Sequence, residues 1–188
     1  MTVKNENDLT KVIERVVLNS NHDHTRIISY QAHHIEQEKS QWKVYIKMPY
    51  VQTNLRKFLE EKKANKEYLT KGQVLNFIYS MTHILEYLQD KGIPHQNLKP
   101  ENIFVEGDNN FLLTDMGKIN VVEEGITFFG ITFFGKETYE APELENCFKK
   151  EELYMADMWS LGLIFAEVCQ LETLAVSDYK KLDEFMKK

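Results

Sequence analysis

Asn102 and Asp115 are the residues of this chain whose types and spacing best suit them to act together. Between them, Ile103-Phe104-Val105 and Phe111-Leu112-Leu113-Thr114 are apolar runs on either side of Gly107-Asp108-Asn109-Asn110, the pattern of two strands joined by a turn. An antiparallel hairpin sets the start of its first strand beside the end of its second, so an amide oxygen and a carboxylate converge. Hard oxygens of this kind suit Mg²⁺, which is commonly held by one or two carboxylates together with nucleotide phosphates. On this segment alone, a surface hairpin with a polar residue at each end is the simpler reading. Just upstream lie His95, Asn97 and Lys99. An amide can orient a hydroxyl but has no basic lone pair near neutral pH, so Asn97 cannot take its proton. His95 reads as a packed, hydrogen-bonded loop residue rather than a base.

Four stretches, in order, turn this local pattern into a resemblance. His95-Gln96-Asn97-Leu98-Lys99-Pro100-Glu101-Asn102 resembles the H-R-D-L-K-P-E-N catalytic loop of the eukaryotic protein kinases. Asp115-Met116-Gly117 resembles D-F-G, Ala141-Pro142-Glu143 matches A-P-E, and Asp157-Met158-Trp159-Ser160-Leu161-Gly162 resembles the D-x-W-S-x-G of the central helix. The resemblance implies an α+β, two-lobed kinase-like fold spanning residues 1–188. It would comprise a remnant of the small lobe over 1–48, a hinge over 49–52 and a mostly helical large lobe over 53–188, ending after its central helix. It also implies roles. Asn97 stands where the family has its catalytic Asp, with Lys99 beside it; Asn102 and Asp115 stand at the metal ligands. Asp157 would brace the loop, and Glu143 would lack its usual Arg partner. Met48-Pro49-Tyr50-Val51 resembles the gatekeeper and hinge that bind adenine through backbone groups, the family donor falling at Val51. Glu14 takes the ion-pairing position of the small-lobe helix.

The elements needed to hold these residues are legible. Leu9, Val12, Ile13, Val16 and Val17 predict an amphipathic helix ending before Asn19. Strands are expected over 27–35 and 42–48, the second with Trp42, Val44, Ile46 and Met48 on one face. Leu55, Phe58 and Leu59 suggest a short helix below the hinge. The strongest helix signal runs from Thr70 to Lys91: Thr70 and Gln73 form a capping-box pattern, Val74, Phe77, Ile78, Met81, Ile84, Leu85 and Leu88 form a stripe, and Gly92 ends it. After Asp157, Leu161, Ile164, Phe165 and Val168 mark one helix face.

Other features depart from the family pattern. No glycine occurs between Met1 and Lys71, so no glycine-rich loop covers a nucleotide there. The fold is expected to start at the helix, without the first three strands, and Lys4 is a poor candidate for the lysine that pairs with Glu14. Lys136 replaces the Thr that usually precedes A-P-E. The segment between D-M-G and A-P-E carries a tandem repeat, Gly125-Ile126-Thr127-Phe128-Phe129 and Gly130-Ile131-Thr132-Phe133-Phe134, an aggregation hazard unless docked. Thr127, Thr132, Thr138 and Tyr139 are candidate phosphorylation sites, although Gln96 replaces the Arg that would help receive such a phosphate.

The 188 residues suffice for a substantial core, and a formal charge of −6 argues against a nucleic-acid or anionic-membrane surface. Cys147 and Cys169 have no metal or redox spacing, the N-terminus is polar, and the apolar run from Leu161 to Cys169 is too short for a bilayer and contains Glu167. A cytoplasmic chain is expected. The functional expectation is a pseudokinase that binds protein partners and at most weakly binds ATP and Mg²⁺. An active Ser/Thr-type kinase and a kinase fragment without autonomous function are the alternatives.

Overall fold

The computed structural model describes residues 1–39, 41–117, 127–128, 131–132, 139–141 and 150–171. Glu143, Lys136, Thr138, Cys147 and most of the repeat lie outside the described residues. Two hydrophobic clusters organise what is described, as a two-lobed fold requires.

The smaller cluster lies between one helix and one antiparallel sheet. β1 (Thr2–Val3), β2 (Ala32–Glu38) and β3 (Gln41–Lys47) pair in the order β1-β3-β2, with Val3 opposite Trp42 and Ile35 opposite Val44. α1 (Glu6–Leu18) covers the sheet, packing Val12 and Val16 against Val3, Tyr30 and Val44, with Leu9, Ile35, Ile46 and Met48 at the margin. Asn5 starts α1 by accepting the Asp8 N–H at 2.8 Å, satisfying one of the helix's open donors. The expected alternation along β3 holds, with Val44 buried and Tyr45 exposed.

Three expectations here are corrected. The sheet has a strand before α1, so the fold does not begin at that helix; at two residues β1 is too short to show a period of two. The first long strand runs over Ala32–Glu38 instead of 27–35. Ile27, Ile28 and Tyr30 are all buried, Ile27 makes a single parallel bridge to Leu113, and the Tyr30 N–H bonds Asn19 O, so this stretch joins the two clusters without extending into a strand. Val17, expected on the apolar stripe of α1, is 58% exposed.

The larger cluster is built by α2 (Leu55–Ala64), α3 (Lys71–Asp90), the strands β5 (Ile103–Glu106) and β6 (Asn110–Leu113), and α4 (Lys150–Gln170), with β4 (Thr53–Asn54) pairing along β5. α3 carries the full reciprocal capping box at Thr70 and Gln73 and buries Phe77, Met81, Ile84 and Leu88. Phe77 meets Phe111 edge-on, with centroids 5.3 Å apart. The hairpin forms as expected: β5 and β6 pair with Ile103 opposite Leu113, and Gly107 takes φ 61° in the turn. Its open end holds the site. Asp157 does not open α4 but lies two turns inside it, because the helix already begins at Lys150. In the repeat, β7 (Thr127–Phe128) and β8 (Ile131–Thr132) pair antiparallel, so one copy ladders with the other.

Candidate functional site

The hairpin register sets Asn102 across from Thr114, whose N–H donates to Asn102 O at 3.1 Å, and Asp115 is the next residue. The loop that leads into the hairpin is held from below by Asp157. Its carboxylate accepts the backbone N–H of His95 at 2.6 Å and of Gln96 at 2.7 Å. Gln96 has φ 61°, a conformation that costs a residue with a side chain and persists only where its surroundings hold it. Burial pushes the Asp157 carboxyl up to about 6, with the two N–H bonds pulling the other way.

His95 is fully buried and serves the same scaffold. Its Nδ1 accepts the Asn97 N–H at 3.2 Å, so the ring proton sits on Nε2 and donates to Thr114 O at 3.1 Å. Burial pushes its pKa down to about 4, which leaves the ring neutral near pH 7. With both nitrogens committed to backbone groups, His95 is a structural residue.

Asn97 ties the two candidate metal residues together. Its Nδ2 donates to Asp115 Oδ2 at 3.2 Å and to Asp115 O at 3.1 Å, and its own carbonyl accepts Asn102 Nδ2 at 2.7 Å. The position that should carry a base is therefore used as a donor. Lys99 is buried at the start of the 3₁₀ turn Pro100–Asn102.

Asp115 is the crowded centre. Its backbone takes φ 68° and its carboxylate is nearly buried. Oδ1 is ion-paired with Arg15 of α1 and also accepts the Tyr30 hydroxyl at 2.7 Å. Burial, then the Asp115 charge, raise the Tyr30 phenol far above its usual range, so the hydroxyl stays protonated and donates. Asn19 locks this arrangement. Its Nδ2 donates to Arg15 O and Met116 O, and its Oδ1 accepts the Met116 N–H, all at 2.8 Å. Gly117 follows at φ 88°, where an added Cβ would lie 3.2 Å from Leu18 Cδ2. Met116, standing in the Phe place, is buried in the larger cluster.

As a Mg²⁺ site this donor set does not fit. The carboxylate already holds one cation and two further hydrogen-bond donors; Asn102 donates only its amide N–H₂, to Asn97 O, so the misfit lies at Asp115. In this arrangement Arg15 occupies the carboxylate that the sequence reading gave, with Asn102, to a metal. The helix residue that faces the site is Arg15, while Glu14 and Lys4 are exposed. Of the hinge residues, Met48 and Val51 are partly buried, and Tyr50 is 89% exposed, so only its backbone could line a cleft.

A second polar cluster lies under the loop. Arg56 of α2 donates Nε to Glu101 Oε1 at 2.8 Å and its other nitrogens to Glu167 of α4 and to the Tyr139 hydroxyl, which itself donates to Glu167. Ser160 adds a bond to Tyr139 O at 2.7 Å. Tyr139, a candidate phosphorylation site by sequence, is buried with its hydroxyl engaged. That reading is corrected too.

Arg15, Asn19 and Tyr30 were not singled out by motif. One signal was present: Val12, Arg15, Val16 and Asn19 fall at i, i+3, i+4 and i+7, which puts two polar residues on the buried stripe of α1.

Comparison with known proteins agrees with this architecture. The sequence model described as Protein kinase domain matches residues 2–187. Mitogen-activated protein kinase 19 of Arabidopsis thaliana is 27% identical over 164 residues, which is 86% of this chain and 27% of that protein. Serine/threonine-protein kinase Nek2 of Mus musculus is 29% identical over 154 residues, 79% of this chain and 34% of that protein. Mitogen-activated protein kinase 8 of Oryza sativa subsp. japonica is 31% identical over 127 residues, 66% of this chain and 22% of that protein. The chain thus spans only a part of each relative's length. With the family model matched along almost all of its residues and the loop, hairpin and central helix in place, this chain belongs to the protein kinase domain family.

Proposed function

We propose that this kinase domain acts as a pseudokinase, a protein-binding and regulatory module that transfers no phosphate at a useful rate. The observation that carries the reading is Asn97: an amide replaces the family's proton acceptor and spends its N–H₂ on Asp115. General-base assistance is worth about 10²–10⁴ in rate, and a loose, metaphosphate-like transition state leaves part of the reaction independent of it. The heavier loss is electrostatic. Arg15 blunts the charge that Asp115 would offer to Mg²⁺. The family uses ATP and Mg²⁺; in this chain we expect both to bind weakly. Protein partners and a cytoplasmic location belong to the same proposal. No helix among the described residues is long and apolar enough to cross a membrane.

The competing reading is an active Ser/Thr kinase. It is favoured by the intact bracing of the loop on Asp157 and by the retention of Lys99 and Asn102. Transfer of phosphate from MgATP to a generic protein acceptor separates the two. The pseudokinase reading expects no transfer above background, with or without Asn102→Ala. Transfer by the natural chain that disappears in Asn102→Ala overturns it.

A further inference from the structure

From the crowding at Asp115 we infer that Arg15 is a built-in cation, a guanidinium filling the place of a divalent ion and tying α1 to the Asp115-Met116-Gly117 segment. The inference builds on the proposed function by naming what keeps metal out, and it rests on different residues from Asn97.

Three observations converge. Arg15 pairs with the same Oδ1 that accepts the Tyr30 hydroxyl, and the paired side chains of Arg15 and Asp115 are only 14% and 9% exposed. Charges this sheltered are little screened, and removing one partner of such a pair leaves an uncompensated buried charge. The backbone of α1 cannot drift away from the carboxylate, because Asn19, one turn after Arg15, bonds Arg15 O and both backbone groups of Met116. Leu18 packs where Gly117 has no side chain, at 3.2 Å from the place of an absent Cβ. A divalent ion brought to Oδ2 would lie across one carboxylate from the guanidinium on Oδ1, and the two cations repel and compete for a single negative charge. Metal binding and the seated position of α1 therefore oppose each other.

The test uses the 188-residue chain without nucleotide and Mn²⁺ as the probe, read by its paramagnetic resonance signal and by thermal melting, with Mg²⁺ as competitor. The natural chain should show no saturable Mn²⁺ site at Asp115. Arg15→Met, which keeps length and loses charge, should gain a saturable site, at least about tenfold tighter than the weakest binding the titration could detect in the natural chain, equivalent to about 1.4 kcal/mol. Mg²⁺ should compete for that site, and Asp115→Asn should abolish it. If Arg15→Met fails to fold alone, Mn²⁺ should restore a cooperative melt. The double variant Arg15→Met/Asp115→Asn should melt above Arg15→Met without any metal. Equal Mn²⁺ affinity in the natural chain and Arg15→Met overturns the inference, as does a folded Arg15→Met that gains no site. The outcomes are separable from those of the proposed function. Phosphate transfer by the natural chain would count against Asn97 as a disabled base, whereas the metal titration reads Arg15 alone.

Discussion

Two buried aspartates frame the site and do opposite kinds of work. Asp157 receives two backbone N–H groups, from His95 and Gln96, while Asp115 is surrounded by an Arg, a Tyr hydroxyl and an Asn amide. The first carboxylate therefore holds main chain and shapes the loop. The second is engaged by side chains, each of which one substitution could remove. The scaffold that positions the loop is intact, and under the proposed function it is the charge beside it that has changed. Shape and chemistry are separable within one loop because different atoms carry them.

The largest effect should come from the scaffold side. Asp157→Ala strands one buried and one part-buried N–H group, each worth up to about 1–3 kcal/mol, so denaturant unfolding should show a loss of about 4 kcal/mol. A loss below about 1 kcal/mol would mean the loop holds its shape without that carboxylate. On the other side, Arg15→Met should cost about 3 kcal/mol by leaving Asp115 uncompensated. Most of that should return in the double variant with Asp115→Asn, the nonadditivity expected of a contacting pair. Simple additivity would erase the contrast between the two aspartates. Tyr30→Phe removes one hydrogen bond to a charged acceptor and should cost about 1.5 kcal/mol, with a smaller effect in an Asp115→Asn background.

The smallest effect is a pH slope. His95 is held at about 4 against an ordinary 6.5, so as pH falls through that window the unfolded chain binds the proton first and stability is lost. Asp157 is raised to about 6 from 3.8, so the folded chain binds first and stability is gained over nearly the same window. The two contributions oppose each other. Melting temperature should therefore fall more steeply between pH 6.5 and 4 in Asp157→Asn than in the natural chain. Parallel slopes would show that these two groups do not set the acid response.

Much of the frame could be read directly. The capping box at Thr70 and Gln73, the stripe from Phe77 to Leu88 and the hairpin turn at Gly107 are local signals, and local periodicity and backbone preference are what create them. Other features could not be read this way. β1 has two residues, the stretch from Ile27 to Tyr30 is buried on both sides and so shows no alternation, and α4 begins seven residues before its recognisable motif. Tyr139 looked available because sequence shows a hydroxyl and not its neighbours Arg56 and Glu167, which come from α2 and α4.

By itself the sequence determined the family, the long helix from Lys71, the hairpin and the amide at Asn97 in place of a base, because each is written in residue types over short spans. The tertiary structure decided which charge meets which. Arg15 and Asp115 lie 100 positions apart, and only the docking of α1 through Asn19 puts a guanidinium on a carboxylate that the motif alone assigns to a metal. Coulomb interactions depend on distance in space and on burial, and neither is set until the two clusters are packed together.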